Sequence, residues 1–213
     1  MRPDLFSGQS KRVGGRVARL GLAAATVATL AGCTATQKEG VSPGYLIIDT
    51  LEGASGADPS KLSTLLNSDV MTNGGILQDD GQVTFHLALK DPGTSDSPAS
   101  PTPNNLITVT RYHVEYTRAD GRNVQGVDVP YAFDSGLGVT VSGEKRTASI
   151  TLVRIQAKLE SPLKALANHG GALAISTIAT VTFYGTDQTG REVRGSANIG
   201  VNFADWADPK SGS

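Results

Sequence analysis

The segment AISTIATVTFYGTDQTGREVRGSANIGVNF, residues 174–203, decides the fold class of this chain. Two arms, 174–184 and 191–203, flank the turn GTDQTG, and apolar or small residues alternate with polar ones along the second arm. Alternation with a period of two is typical of a strand that buries one face. Asp187 and Gly190 favour tight turns. The segment therefore predicts a long antiparallel hairpin.

Similar alternation occurs earlier in the chain. The stretch 82–90, QVTFHLALK, places its large apolar residues on one face, and a short apolar run occupies 45–48. The stretch 105–118, NLITVTRYHVEYTR, changes phase near Thr110, which predicts a β-bulge there. A further strand is predicted at 147–153, and Ile155, Ala157 and Leu159 continue it in the opposite phase.

Two short helices and two long loops are predicted between these strands. The segments 58–66 and 161–170 each begin with Asp or Ser followed by Pro, which is typical of a capped helix start. The Ser/Pro-rich stretch 91–104 and the glycine-punctuated stretch 119–137 are predicted to be loops. Loops positioned by a rigid scaffold often carry binding sites, so both are candidate binding segments.

About seven strands with one or two short helices place residues 44–208 in the all-β class. Their pattern resembles an immunoglobulin-like or fibronectin-like antiparallel β-sandwich. The Cys…Trp…Cys arrangement of true immunoglobulin domains is absent, because Cys33 precedes the strands and Trp206 follows them. A small β-barrel is the alternative architecture.

The N-terminal segment has the composition of a secretory signal. Residues 2–19 are basic, and the uncharged apolar run at 20–31 is shorter than the roughly 20 residues that cross a bilayer. The order Leu30-Ala31-Gly32-Cys33 resembles the lipobox of bacterial lipoproteins. The resemblance implies that residues 1–32 are a signal peptide and that Cys33 is lipidated as the first mature residue.

The same resemblance predicts the rest of the organisation. Residues 33–43 are polar and would form a tether between the lipid and the domain, and residues 209–213 would form a C-terminal tail. Thr34, rather than Asp, follows Cys33, which favours the outer membrane or the cell surface. A buried structural cysteine and a catalytic thiol are the alternatives for Cys33; the polar segment after it and the lack of a nearby His disfavour them.

The charge distribution excludes one class of partner. Residues 1–32 hold five basic side chains against one acidic one, so the rest of the chain carries 14 basic and 19 acidic side chains. A mildly acidic body disfavours nucleic-acid binding, which needs clustered Lys and Arg.

No catalytic, cofactor or metal-ligating residue can be assigned from motifs. His86, His113 and His169 show neither the HxH nor the HExxH spacing of a metal site. Carboxylates do accumulate beside the first two strands, and oxygen-rich loops at one end of a sandwich can bind Ca²⁺. These loops are therefore a candidate Ca²⁺ site, whose ligands would come from Asp49, Glu52, Asp58, Asp79 and Asp80.

Four aromatic residues are candidates for a ligand surface. Tyr112, Tyr116, Tyr131 and Phe133 would form an exposed platform if their rings left the core, although aromatic residues in strand phase are usually buried. The sequence thus predicts a lipid-anchored envelope protein that acts as a non-catalytic binding or structural module with a protein or glycan partner. The alternatives are an envelope hydrolase with a site assembled from distant loops and a simple spacer.

Overall fold

The structure, a computed structural model, describes residues 41–206. Ten strands, one short α-helix and two 3-10 helices are present in this range. The strands are β1 (Gly44–Ala54), β2 (Leu65–Asp69), β3 (Asp79–Leu89), β4 (Gly93–Thr94), β5 (Ser97–Pro98), β6 (Ile107–Thr117), β7 (Phe133–Val141), β8 (Arg146–Val153), β9 (Ala174–Asp187) and β10 (Glu192–Ala204). The helix α1 is Ile155–Leu159, and the 3-10 helices are Pro103–Asn105 and Leu163–Leu166.

Eight of these strands form two sheets. The three-stranded sheet has the order β1-β3-β8, and the five-stranded sheet has the order β2-β10-β9-β6-β7. Neighbouring strands are antiparallel except β2, which is parallel to β10. The two-residue strands β4 and β5 pair only with each other. The prediction of an all-β domain is confirmed.

The two sheets share one apolar core. Phe85 of β3 meets Phe183 of β9 edge to face, with ring centroids 4.9 Å apart, and both side chains are fully buried. Tyr116 of β6 packs on Phe203 of β10 in the same way at 5.7 Å. Such edge-to-face contacts contribute about 0.5–1.5 kcal/mol beyond the burial of area.

The strands define two ends of the domain. The first end, which we call the Gly44 end, contains the start of β1 and the turn between β9 and β10. Gly195, near that turn, packs against Leu46 of β1, because a Cβ at Gly195 would lie 3.0 Å from the Leu46 carbonyl oxygen. The opposite end, which we call the Ala204 end, contains the connections that follow β1, β2, β6 and β8. There the Val70 amide donates to the Ala204 carbonyl oxygen at 3.0 Å.

The strongest sequence predictions of local structure are confirmed. The hairpin pairs without a break from Glu192 opposite Thr186 to Ala204 opposite Ala174. The predicted bulge is present, because the pairing of β6 passes from Val109 directly to Arg111 on both of its neighbours.

The predicted helices are wrong in type or position. No helix forms at 58–66, where Ser63 instead bridges to Gly53 and strand β2 follows with Leu66 in the core. The segment 161–170 contains only the 3-10 helix at Leu163–Leu166. The α-helix lies at 155–159, where the sequence pattern predicts a strand. It buries Ala157 and Lys158, which are neighbours in the chain, whereas a strand buries alternate residues.

The predicted loop at 119–137 is also shorter than expected. Strand β7 begins at Phe133, inside the predicted loop. Small residues such as Gly136 and Gly138 hide its alternation, so its apolar period is weak in the sequence.

Candidate functional site

The described domain contains a buried ion pair at the Ala204 end. Lys158 of α1 donates from Nζ to Asp79 Oδ1 at 2.9 Å, and both side chains are wholly inaccessible. The same ammonium donates to the carbonyl oxygens of Asp69 and Leu77, each at 2.7 Å. All three ammonium protons therefore have an acceptor, which is the full capacity of a lysine.

Asp79 is equally well satisfied. It accepts hydrogen bonds from Ser68 Oγ at 2.5 Å and from the Gly56 amide at 2.8 Å. Burial raises the pKa of Asp79 above its usual value, against the lowering effects of Lys158, Ser68 and Gly56. Because neither charged group is open to solvent, this pair has a structural role and cannot reach a substrate.

The predicted aromatic platform does not form. Tyr112, Tyr116 and Phe133 are buried in the core, where their rings pack against other aromatic residues. The Tyr116 hydroxyl donates to the Leu152 carbonyl oxygen, and burial raises the pKa of Tyr116. Only Tyr131, which is 51% exposed, lies at the surface. The prediction is wrong for the other three because their strand positions face inward.

Tyr131 belongs to an ordered loop at residues 118–132. Asp120 accepts hydrogen bonds from the guanidinium groups of Arg118 and Arg122, with closest distances of 2.6 and 3.0 Å. These donors hold the pKa of Asp120 well below its usual value. Further along, Asp128 Oδ2 accepts from the Val124 amide at 3.1 Å. The loop is thus fixed by its own hydrogen bonds.

The 118–132 loop presents apolar side chains to solvent. Val124 and Val127 are 60% and 65% exposed, and the exposed Tyr131 follows Val127 by four residues. Val129 and Pro130 are buried and attach the loop to the domain. Exposed large apolar side chains are frequent in the connections at this end and directly after β10; they are Leu62, Leu77, Val124, Val127, Tyr131, Ile155, Leu159, Leu173 and Trp206.

A second candidate site is a groove of about 460 Å³ on the outer face of the five-stranded sheet. Arg194, Tyr184 and Arg111 face each other on β10, β9 and β6 in direct register. The Arg111 guanidinium carbon lies 3.8 Å from the Tyr184 ring centroid, and its Nη1 donates to Asp134 Oδ1 at 2.9 Å. Cation–π and ionic contacts therefore fix the position of Arg111.

The three histidines have different partners and do not form one site. His86 Nδ1 lies 2.9 Å from Asp49 Oδ2, His113 Nδ1 lies 3.2 Å from Asp134 Oδ2, and His169 contacts the Ala167 carbonyl oxygen. Within residues 41–206, no three His, Cys, Asp or Glu side chains group as metal ligands. Of the acidic residues considered for Ca²⁺, Asp79 is paired with Lys158 and Asp49 contacts His86.

Local sequence pattern does not reveal the groove, because its residues come from three strands. Alternation alone places Tyr184 and Arg194 on outer faces, but their alignment with Arg111 depends on the bulge at Thr110. The proposed lipidation site Cys33, the signal peptide at 1–32 and the tail at 209–213 lie outside the described residues.

Comparison of the chain with protein families, curated proteins and solved structures finds no match. Within residues 41–206, no helix is long and apolar enough to cross a bilayer.

Proposed function

We propose that this chain is a lipid-anchored cell-envelope protein whose β-domain binds a protein partner, without catalysis, through the 118–132 loop. The observation that carries the proposal is the ordered loop that holds Val124, Val127 and Tyr131 in solvent. Large apolar groups held rigidly at a surface favour interaction, because little conformational freedom is lost on binding.

The strand order supports an immunoglobulin-like or fibronectin-like assignment within this proposal. With β1, β3 and β8 taken as strands A, B and E, and with β10, β9 and β6 taken as G, F and C, both sheet orders agree with that arrangement. Strand β7 then extends the second sheet beside C. Many extracellular binding domains share this architecture, so the fold alone names no ligand.

The start of β1 and the proposed binding loop lie at opposite ends of the described domain. Strand β1 begins at Gly44, and the 118–132 loop follows the end of β6 at the Ala204 end. A lipid on Cys33 would attach to the membrane through the short segment before β1. The proposed anchor would therefore be joined to the domain through the end opposite the loop.

The chemistry of the loop favours a protein over a glycan. Valine side chains offer saccharide hydroxyls no hydrogen bond, whereas they fill apolar pockets well. The charged residues Asp120, Arg122 and Asp128 accompany the apolar residues in the same loop, as at the polar rim of a protein interface.

Site-specific photo-crosslinking tests the binding surface. A benzoylphenylalanine at Val127 should trap one protein in intact cells, and the same probe at Val41, which is 78% exposed at the Gly44 end, should not. The trapped protein should then be purified and titrated against the full chain. We expect Val127→Asp to bind it at least about tenfold more weakly than the wild type, and Val41→Asp to bind it with unchanged affinity. Equal crosslinking from both positions, or unchanged affinity of Val127→Asp, refutes the proposal.

The anchor has a separate test. Cys33→Ser should abolish incorporation of labelled fatty acid and release the protein from the membrane fraction. A variant that is processed and retained like the wild type would show that residues 30–33 are not a lipobox.

The hydrolase alternative gains no specific support. The nearest arrangement is the row Asp134, His113, Thr182 and Ser196 across the outer face of the sheet. His113 contacts Asp134, and Thr182 contacts Ser196 at 3.0 Å, but within residues 41–206 no hydrogen bond links His113 to either hydroxyl.

A further inference from the structure

The outer-face groove is a second surface that the proposed loop interaction does not use. It lies across β6, β9 and β10, and Thr110, Thr186 and Glu192 line it together with Arg111, Tyr184 and Arg194. We propose that this groove binds a carboxylated saccharide, with Arg194 as the residue that recognises the carboxylate.

The bulge in β6 gives the groove its shape. Thr110 is left out of the pairing on both sides, while Val109 pairs with Gly185 and Arg111 with Tyr184. Gly185 has no side chain to hold β9 away, and a Cβ there would overlap the Thr108 carbonyl oxygen. The two strands therefore approach closely at the bulge, where β6 bends.

The two arginines of the groove differ in their availability. Arg111 is stacked on Tyr184 and paired with Asp134, so its charge is already balanced. Arg194 lies on the other side of Tyr184 in the same row and is exposed. Among residues 41–206, no carboxylate lies within ion-pair distance of Arg194. Its planar set of N–H donors matches a carboxylate in bidentate geometry.

The remaining lining groups favour a ligand that carries hydroxyls beside its carboxylate. Glu192 precedes Arg194 by two residues on the same strand face, and as an anion it only accepts hydrogen bonds. The hydroxyls of Thr110 and Thr186 can donate and accept. A second anionic group on the ligand would be repelled by Glu192, whereas saccharide hydroxyls would satisfy it. A volume of about 460 Å³ is within the range of small-molecule sites.

Isothermal titration of the full chain with a matched pair of disaccharides tests the inference. Cellobiouronic acid differs from cellobiose by one carboxylate in place of a hydroxymethyl group, and acetate supplies the carboxylate alone. We expect cellobiouronic acid to bind at least about tenfold more tightly than either of the others, because a charged hydrogen-bonded pair contributes more than a neutral contact.

Variants assign the binding to the groove. Arg194→Gln should weaken the binding of cellobiouronic acid at least about tenfold. Arg194→Lys should weaken this binding less, because the charge remains while the bidentate geometry is lost. Arg146→Gln is the control, since Arg146 is exposed on the other sheet. Thermal unfolding of the three variants should match the wild type.

Each contrary result overturns a defined part of the inference. If cellobiose binds as tightly as cellobiouronic acid, the carboxylate is not recognised. If acetate binds as tightly as cellobiouronic acid, the saccharide does not contribute to binding. Unchanged binding by Arg194→Gln, or no binding of cellobiouronic acid by the wild type, overturns the site. None of these results bears on the 118–132 loop, which is tested by crosslinking.

Discussion

Lys158 Nζ lies 2.9 Å from Asp79 Oδ1, and neither side chain has any exposure to solvent. The pair joins helix α1 to strand β3, and the further bonds of Lys158 reach the carbonyl oxygens of Asp69 and Leu77. One ammonium group therefore holds together four segments at the Ala204 end. The 118–132 loop belongs to the same end of the domain.

Loss of this ammonium should destabilise the fold strongly. Lys158→Met leaves Asp79 buried without its ionic partner, and breaking a buried pair in this way costs about 3–5 kcal/mol. Chemical unfolding in urea should show the loss as a lower midpoint. The double variant Lys158→Met with Asp79→Leu should recover much of the lost stability, because no uncompensated charge is then buried.

Lys164→Met is the matched control for this substitution. Lys164 is exposed next to the same region and should change the free energy of unfolding by no more than about 0.5 kcal/mol. If Lys158→Met unfolds at the wild-type midpoint, the buried pair does not stabilise the fold.

The close approach of strands at the bulge gives a second prediction. Gly185→Ala would place a Cβ against the Thr108 carbonyl oxygen and 2.9 Å from Val109 Cα, and neither backbone atom can rotate away. We expect a loss of about 1–3 kcal/mol in the free energy of unfolding, which is typical of overpacking. Denaturant unfolding measures it.

Gly138→Ala controls for the change of residue type. Gly138 lies in β7, and a Cβ there would meet no atom within 4 Å. This variant should be neutral or slightly stabilising, because alanine restricts the unfolded chain. Equal effects of the two substitutions would contradict the packing argument.

Alternation predicted the strands that bury one face. The hairpin of β9 and β10 and the bulge at Thr110 follow from residues close together in sequence, so local pattern was sufficient. The weak strands β2 and β7 were missed, because their pairing with β10 and β6 comes from tertiary contact rather than from their own composition.

The buried lysine shows why the remainder was not predictable. Lys158 lies 79 residues from Asp79, and hydropathy places a lysine at the surface. Only the folded chain supplies the three acceptors that make its burial tolerable. The groove could not be predicted for the same reason. Arg111, Tyr184 and Arg194 are separated in sequence and are brought together by the register of their strands.

The ion pairs of the 118–132 loop give the last prediction. Arg118 and Arg122 hold the pKa of Asp120 below its usual value, so the folded loop favours the carboxylate. A lowered pKa stabilises the loop above the ordinary pKa of an aspartate, about 3.9, and this contribution is lost as the pH falls through the lower, folded value. Hydrogen exchange of the Arg122 amide, which donates to Asp120 Oδ1 at 3.2 Å, should therefore show constant protection from pH 7 to about pH 4 after correction for intrinsic rates.

Asp120→Asn removes the charge at every pH. We expect faster exchange of the Arg122 amide already at pH 7 and weaker photo-crosslinking from Val127, because the loop would lose the order that presents its apolar side chains. Asp96→Asn is the control, since Asp96 is exposed in the separate loop between β4 and β5. If Asp120→Asn leaves both readouts unchanged, the order of the loop does not depend on these ion pairs, and its apolar residues are held by the buried Val129 and Pro130 alone.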